Sequence, residues 1–219
     1  MRVPGPRDLA ALPYAHHLQP FTGELEHAGA YEWLHFDGSV FQDAEAGSSL
    51  FSQSAFSSAT FERGRLRRSR FDEVWLHTVR MVGTNVAETT WLDSECTAGV
   101  FAGTEIHGSE MRRTVFRQCK FDSVNFRATS FKDVAFVDCL LRDVDFSGAN
   151  LVDVSFPGST LDRARIDRAT LTRVDLREAT ALGIVSGIGA LSGATISTAQ
   201  LFDLAPVLAQ HLGLTVKDH

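Results

Sequence analysis

A bulky apolar residue returns at every fifth position along most of this chain. In the densest stretch the positions are Phe116, Phe121, Phe126, Phe131, Phe136, Leu141, Phe146, Leu151, Phe156, Leu161, Ile166 and Leu171. Neither the 3.6-residue period of an amphipathic helix nor the two-residue period of a strand produces that spacing. Followed outward, the spacing runs from Phe36 to Ala181, and twenty-seven of its thirty positions hold Phe, Leu, Ile, Val, Met or Trp, the exceptions being Ala46, Cys96 and Ala181. Fourteen of the sixteen Phe lie on it, so the aromatic content belongs to the period. The residue two before each centre is Ala, Ser, Thr, Cys, Val or Gly except at Leu34.

A five-residue unit cannot bury its apolar side chain alone. Neighbouring units must stack, and stability becomes a sum over nearest-neighbour interfaces. The units ANLVD, CKFDS, VNFRA and VDFSG resemble the A(D/N)LXX unit of the pentapeptide-repeat family, and the resemblance covers about two thirds of the chain. It implies an all-β fold, a right-handed quadrilateral parallel β-helix with four units per turn and the centre and small residues pointing inward. A narrow coil of that kind holds one large residue per side, with a small one where the chain turns the corner.

The period divides the chain into three parts. Residues 1–30 stand outside it, punctuated by Pro4, Pro6, Pro13 and Pro20, and their apolar residues Leu12, Tyr14, Leu18 and Phe21 show no clear spacing of five. A solenoid needs its first coil covered, because open edges invite aggregation, so this segment is expected to be an N-terminal cap. His16 and His17 lack companions at ligand spacing, so neither a metal nor a cofactor is expected. Residues 31–196 form the repeat body, which keeps its period from Tyr31 to Met111 without an insertion and so projects no long loop. Past Ala181 it becomes Gly-rich, with Leu191, Ile196 and Leu201 still in phase.

Residues 197–219 change character. Leu201, Phe202, Leu204, Val207, Leu208 and Leu212 make a broad apolar stripe at helical spacing, with Ser197 or Thr198 as N-cap and Gly213 as the stop. Pro206 removes a backbone donor and predicts a kink or two short helices. The stripe is wide for a single end-face and is expected both to cap the coil and to form a homodimer interface. Helix-mediated, end-to-end dimers are also what the family resemblance implies.

Composition changes this picture little. No apolar run approaches the roughly 20 residues needed to span a membrane, no signal-peptide core precedes the repeats, and a cytoplasmic protein is the expectation. The net charge of −6 argues against direct nucleic-acid binding, for which a basic excess is the usual footprint. The run Arg63, Arg65, Arg67, Arg68 and Arg70 falls within the repeats and reads as a solvated face. Of the three cysteines, Cys119 and Cys139 occupy small inward positions and would stack about 4.8 Å apart. Parallel Cβ vectors suit a disulfide poorly, so all three are expected to be reduced core residues.

Function must then lie on the outside of the coil. Residues twenty apart share a face, and one face carries Glu73, Asp93, Arg113, Asp133 and Asp153 at the same outward position on successive turns, with Asp72 and Glu110 alongside. Carboxylates climbing a rod imitate the phosphate spacing of a duplex. The chain resembles most the family members that protect bacterial type II topoisomerases from poisons. That resemblance implies a non-catalytic, DNA-mimicking partner of DNA gyrase or topoisomerase IV that confers antibiotic resistance or self-immunity. The period of five excludes the six-residue acyltransferase coil, and no nucleophile, phosphate-loop or metal motif appears. The alternative is a passive scaffold that binds another protein through outward Trp75, Leu92, Val100, Val137 or Leu140.

Overall fold

The computed structural model describes residue 3 and residues 5–217. The chain is a parallel β-solenoid of about eight coils of twenty residues each. Tyr31, Phe51, Phe71, Trp91, Met111, Phe131, Leu151 and Leu171 stack on one face, which we call the first. The second face carries the column Phe36, Phe56, Leu76, Cys96, Phe116 and Phe136, and the third Phe41, Phe61, Met81, Phe101, Phe121, Leu141 and Leu161. The fourth is held by single bridges from Glu45 through Arg65, Asn85, Glu105, Asn125 and Asp145 to Arg165.

The repeat unit explains this shape residue by residue. The centre side chain is buried almost everywhere, and successive rings lie face to face, Phe116, Phe136 and Phe156 with centroids 5.2 and 5.1 Å apart. Rings on neighbouring faces meet edge on, as Phe116 and Phe121 do at 83°. Aromatic pairs favour both geometries. The residue two after each centre turns the corner, and every fifth residue from Ala28 to Arg173 has a positive φ, six of them Gly. Left-handed backbone costs a non-glycine residue roughly 1–2 kcal/mol, so the corners hold only because the ladder on either side fixes them. The inward small residues complete the hydrogen bonding. Ser159 Oγ donates to the Phe136 carbonyl at 2.8 Å and accepts from the Cys139 amide at 2.9 Å, which satisfies groups that would otherwise be buried unpaired. Cys96, Cys119 and Cys139 are free and buried.

Three departures from the sequence reading concern the ends. Ala181 does not continue the spacing. Leu161 pairs with Leu182, one residue late, so Leu182 takes the inward place and Ala181 is exposed. The displacement is already present where Gly158 N–H bonds the Glu178 carbonyl and Thr160 pairs with Ala181, ahead of the Gly-rich stretch that begins at Gly183, and Leu201, nominally in phase, points outward. The C-terminal segment forms one helix, α1 (Thr198–His211), that runs through Pro206 without dividing. Ser197 caps it in a reciprocal capping box with Gln200, and Gly213 at φ 68° closes it with Leu214 N–H bonded to the Ala209 carbonyl.

The N-terminal segment does two things where one was expected. Phe21 lies over the first coil, its ring 4.5 Å from Phe36, and Gln19–Pro20 pairs with the strand at Leu34 and His35. Residues 7–18 instead run up the outside of the second face as a strap. Leu12 and Tyr14 cover Ala55 and Trp75 there, in a cluster separate from the main core. Trp75, expected to be exposed, is 5% exposed for that reason.

Phe136 sits between two stacked rings and is fully enclosed. Phe136→Ala is expected to lower stability by about 3–5 kcal/mol in urea unfolding. A loss below about 1 kcal/mol would mean that the coil collapses around the gap and that ring stacking does not set its width.

Candidate functional site

The six carboxylates singled out from the sequence do share the first face. Glu73, Asp93, Asp133 and Asp153 all lie on its corners, at φ between 50° and 56°, and Asp72 and Glu110 lie on the strands beside them. Their side chains are largely paired off. Arg113 Nε and Nη2 hold the two oxygens of Asp93 at 2.6 and 2.7 Å, and Arg173 grips Asp153 in the same fork at 2.6 Å. Asp72 is bound by Arg70 at 2.7 Å, and Glu110 lies 3.8 Å from Arg112. Glu73 accepts from Gln53 at 2.9 Å, and Gln53 in turn accepts from the Trp33 indole at 2.8 Å. Asp133 has neither a hydrogen bond nor an ion pair among the described residues.

Charge density decides what this face can do. Its outward positions carry seven carboxylates and five cations over eight coils. At about 4.8 Å per coil the rod is about 40 Å long, a length over which duplex DNA would carry about twenty negative charges. A net of two is an order of magnitude short. The pairing is general to the rod. Asp43 with Arg63, Glu45 with Arg65, Asp122 with Arg142 and Asp143 with Arg163 repeat the acid-below-arginine step of twenty on other faces. The run Arg65 to Arg70 is likewise engaged, Arg67 and Arg68 both on Glu88.

The second face holds the polar group that the sequence reading passed over. Glu95 is buried at an outward position, its carboxylate bound by Arg7 Nε at 2.9 Å from 88 residues away and lying 3.5 Å from Arg117 Nε. Trp75 donates its indole N–H to the Arg7 carbonyl at 3.0 Å and stacks on His77. Tyr14 donates its hydroxyl to the Glu73 carbonyl at 2.7 Å, and burial pushes its pKa up, which keeps it a donor. The signal was a Trp and a Glu in one outward column, with Ala55 below.

The described part of α1 faces two ways. Leu204 is buried against the last coil, Leu208 is packed beside it, and Gln200 donates to the carbonyls of Leu176 and Ala179. Leu204 is therefore no part of a free interface, because its own coil covers it. Leu201, Phe202, Val207 and Leu212 are exposed, Phe202 by 73%, and so are Leu214 and Val216 beyond the helix. Among the described residues no group of three or more His, Cys, Asp and Glu could hold a metal, and no helix is long and apolar enough to cross a membrane.

A family model described as a pentapeptide repeat region matches residues 90–166 and 109–184. The chain resembles the pentapeptide-repeat family across residues 90–184, and its period of five continues towards the N-terminus of that match. No curated protein matches it in sequence. Among solved structures, a trypsin-treated variant of QnrB1, a plasmid-mediated fluoroquinolone resistance protein, has the same fold with a TM-score of 0.59 at 15% identity, covering 92% of this chain and 100% of that one. HetL, a pentapeptide repeat protein involved in heterocyst differentiation regulation from the cyanobacterium Nostoc sp. strain PCC 7120, scores 0.45 at 13% identity over 80% of this chain and 92% of its own.

The Arg113 and Arg173 forks hold the carboxyls of Asp93 and Asp153 below the usual range. A lowered folded pKa gives stability that is present above the unfolded value of about 3.9 and is lost as pH falls through the folded one. The thermal midpoint should therefore drop as pH falls below about 4, and a variant with Asp93→Asn and Asp153→Asn should drop less. Parallel pH profiles for the two proteins would place the acid sensitivity elsewhere.

Proposed function

We propose that this protein is a non-catalytic rod that binds a bacterial type II topoisomerase, DNA gyrase or topoisomerase IV, and counters an antibiotic directed at it. The observation that carries the reading is the unbroken solenoid, whose fold matches a fluoroquinolone resistance protein along nearly its whole length. A rod of about 40 Å is about the length of one turn of duplex. A pair joined end to end through the apolar surface of Phe202, Leu212 and Val216 doubles that length.

Recognition in this reading rests on the shape of the rod more than on net charge. Glu73 and Asp133, which no arginine forks, meet a basic channel first. Asp93 and Asp153 contribute only as their arginines swing away to other acceptors. A scaffold for an unrelated protein is the second reading, and Val40 and Leu140, exposed in one column of the third face, favour it as apolar contacts.

Increasing amounts of the protein should reduce fluoroquinolone-induced DNA cleavage by purified gyrase, and a variant with Glu73, Asp93, Asp133 and Asp153 changed to Lys should not. If neither protein alters cleavage or supercoiling while both remain folded, the topoisomerase reading falls. Phe202→Glu with Leu212→Glu should halve the mass measured by light scattering, and an unchanged mass removes α1 from the interface.

A further inference from the structure

The strap of residues 7–18 covers a surface that the solenoid does not need covered. Its residues join no β-ladder before Gln19, and its backbone-to-backbone hydrogen bonds are local, such as Ala15 N–H to Leu12 O and Leu18 N–H to Ala15 O, with the Arg7 amide and carbonyl bonded to the side chains of Glu95 and Trp75. Its apolar residues pack in their own cluster on Ala55 and Trp75, outside the continuous core. Lifting it therefore opens no coil. Local opening of this kind draws on few contacts and lies well below global unfolding.

What lies beneath is unlike any other outward surface of the rod. Elsewhere an outward acid meets an arginine of the next coil in solvent. Here Glu95 is buried, and the strap supplies its closest guanidinium. Trp75 offers an indole N–H to a main-chain carbonyl and a flat face, with His77 stacked on it. The Glu73 carbonyl accepts a phenol. A carboxylate, an indole donor, an apolar floor and a carbonyl acceptor in one line are the parts of a site for an extended peptide. Glu95 also keeps Arg117 at 3.5 Å, so withdrawal of Arg7 does not leave it without a cation.

We propose that this part of the second face is a peptide-docking surface, that the protein's own N-terminal strap occupies it in the resting state, and that its partner is a protein segment carrying an arginine followed by leucine and an aromatic residue. The strap defines that chemistry: Arg7 reads Glu95, Leu12 and the Tyr14 ring read Trp75 and Ala55, and the phenol reads the Glu73 carbonyl. The partner displaces the strap by making the same contacts in trans. This surface meets the first face at Glu73, where it uses the main-chain carbonyl and not the carboxylate, and it does not depend on the topoisomerase reading.

The test uses the full-length protein with Arg7→Glu, Leu12→Ser and Tyr14→Ser, and as probe a fluorescein-labelled synthetic peptide with the sequence of residues 5–18. Fluorescence polarisation should show the peptide bound to this opened variant at least about tenfold more tightly than to the wild type, whose strap competes. Adding Trp75→Ala or Glu95→Lys, or replacing the arginine of the peptide by alanine, should weaken binding by about tenfold or more. No binding to an opened variant that keeps its circular dichroism and cooperative unfolding overturns the proposal, as does equal binding of the peptide lacking arginine. Strap exchange between two copies, seen as a wild-type dimer that the triple variant loses, overturns the choice of partner. Hydrogen exchange on the wild type provides a check that needs no variant. The amides of Leu12, Ala15, His17 and Leu18 should exchange ahead of those at Phe36 and Phe56, and exchange of both sets in one global step makes the strap a permanent brace.

Discussion

Everything in this molecule follows from the width of one coil. Four sides of five residues leave room for four large side chains and four small ones per turn, and the ladder bonds between coils hold one register from Tyr31 to Leu171. The corners can be held in left-handed backbone only because that ladder is continuous above and below them. Phe suits the interior because a ring can stack on its neighbour one coil away at the ladder spacing and still meet the next face edge on. Towards the C-terminal end the centres change to Leu151, Leu161, Ile166 and Leu171, and the tight stacking gives way to a small apolar void among them.

The same rigid spacing orders the outside. Residues twenty apart are forced into adjacency, so acids with an arginine twenty positions later become ion pairs without further design, Asp145 excepted, which lies nearer Arg127 than Arg165. Such exposed pairs are screened by solvent and add little stability each, and their larger effect is on the field. They turn what looks like an acidic column into a ladder of near-neutral rungs, leaving Glu73 and Asp133 as the acids that no arginine grips.

How much of this the sequence disclosed depends on whether a feature shares the period. The inward centres, the small residues before them and the reduced cysteines were all legible, because each is a direct consequence of five-residue spacing. The pairing of Asp93 with Arg113 and of Asp153 with Arg173 was also present in the spacing, once a coil is known to hold twenty residues. The slip at Ala181 was not, since the residues before it, Glu178 to Thr180, carry no turn signal that would mark a one-residue displacement. Nor was the strap: short turns around Pro13 have no period, and the only sign of it was Trp75 standing where a solvated residue belongs. Leu204 and Phe202 could not be told apart by pattern, because a stripe wide enough for two surfaces does not say which side the coil takes.

In most solenoids each coil answers only to the coils beside it. The strap changes that, because it fastens the beginning of the chain to Glu95 on the fourth coil while crossing Ala55 and Trp75 on the way. A pull on the N-terminus is thus carried first as shear along the side of the rod, and the end coil is shielded from being peeled away. The amino-terminal third behaves mechanically as a splinted beam, whereas the carboxy-terminal coils beneath α1 remain a stack that can be opened one layer at a time.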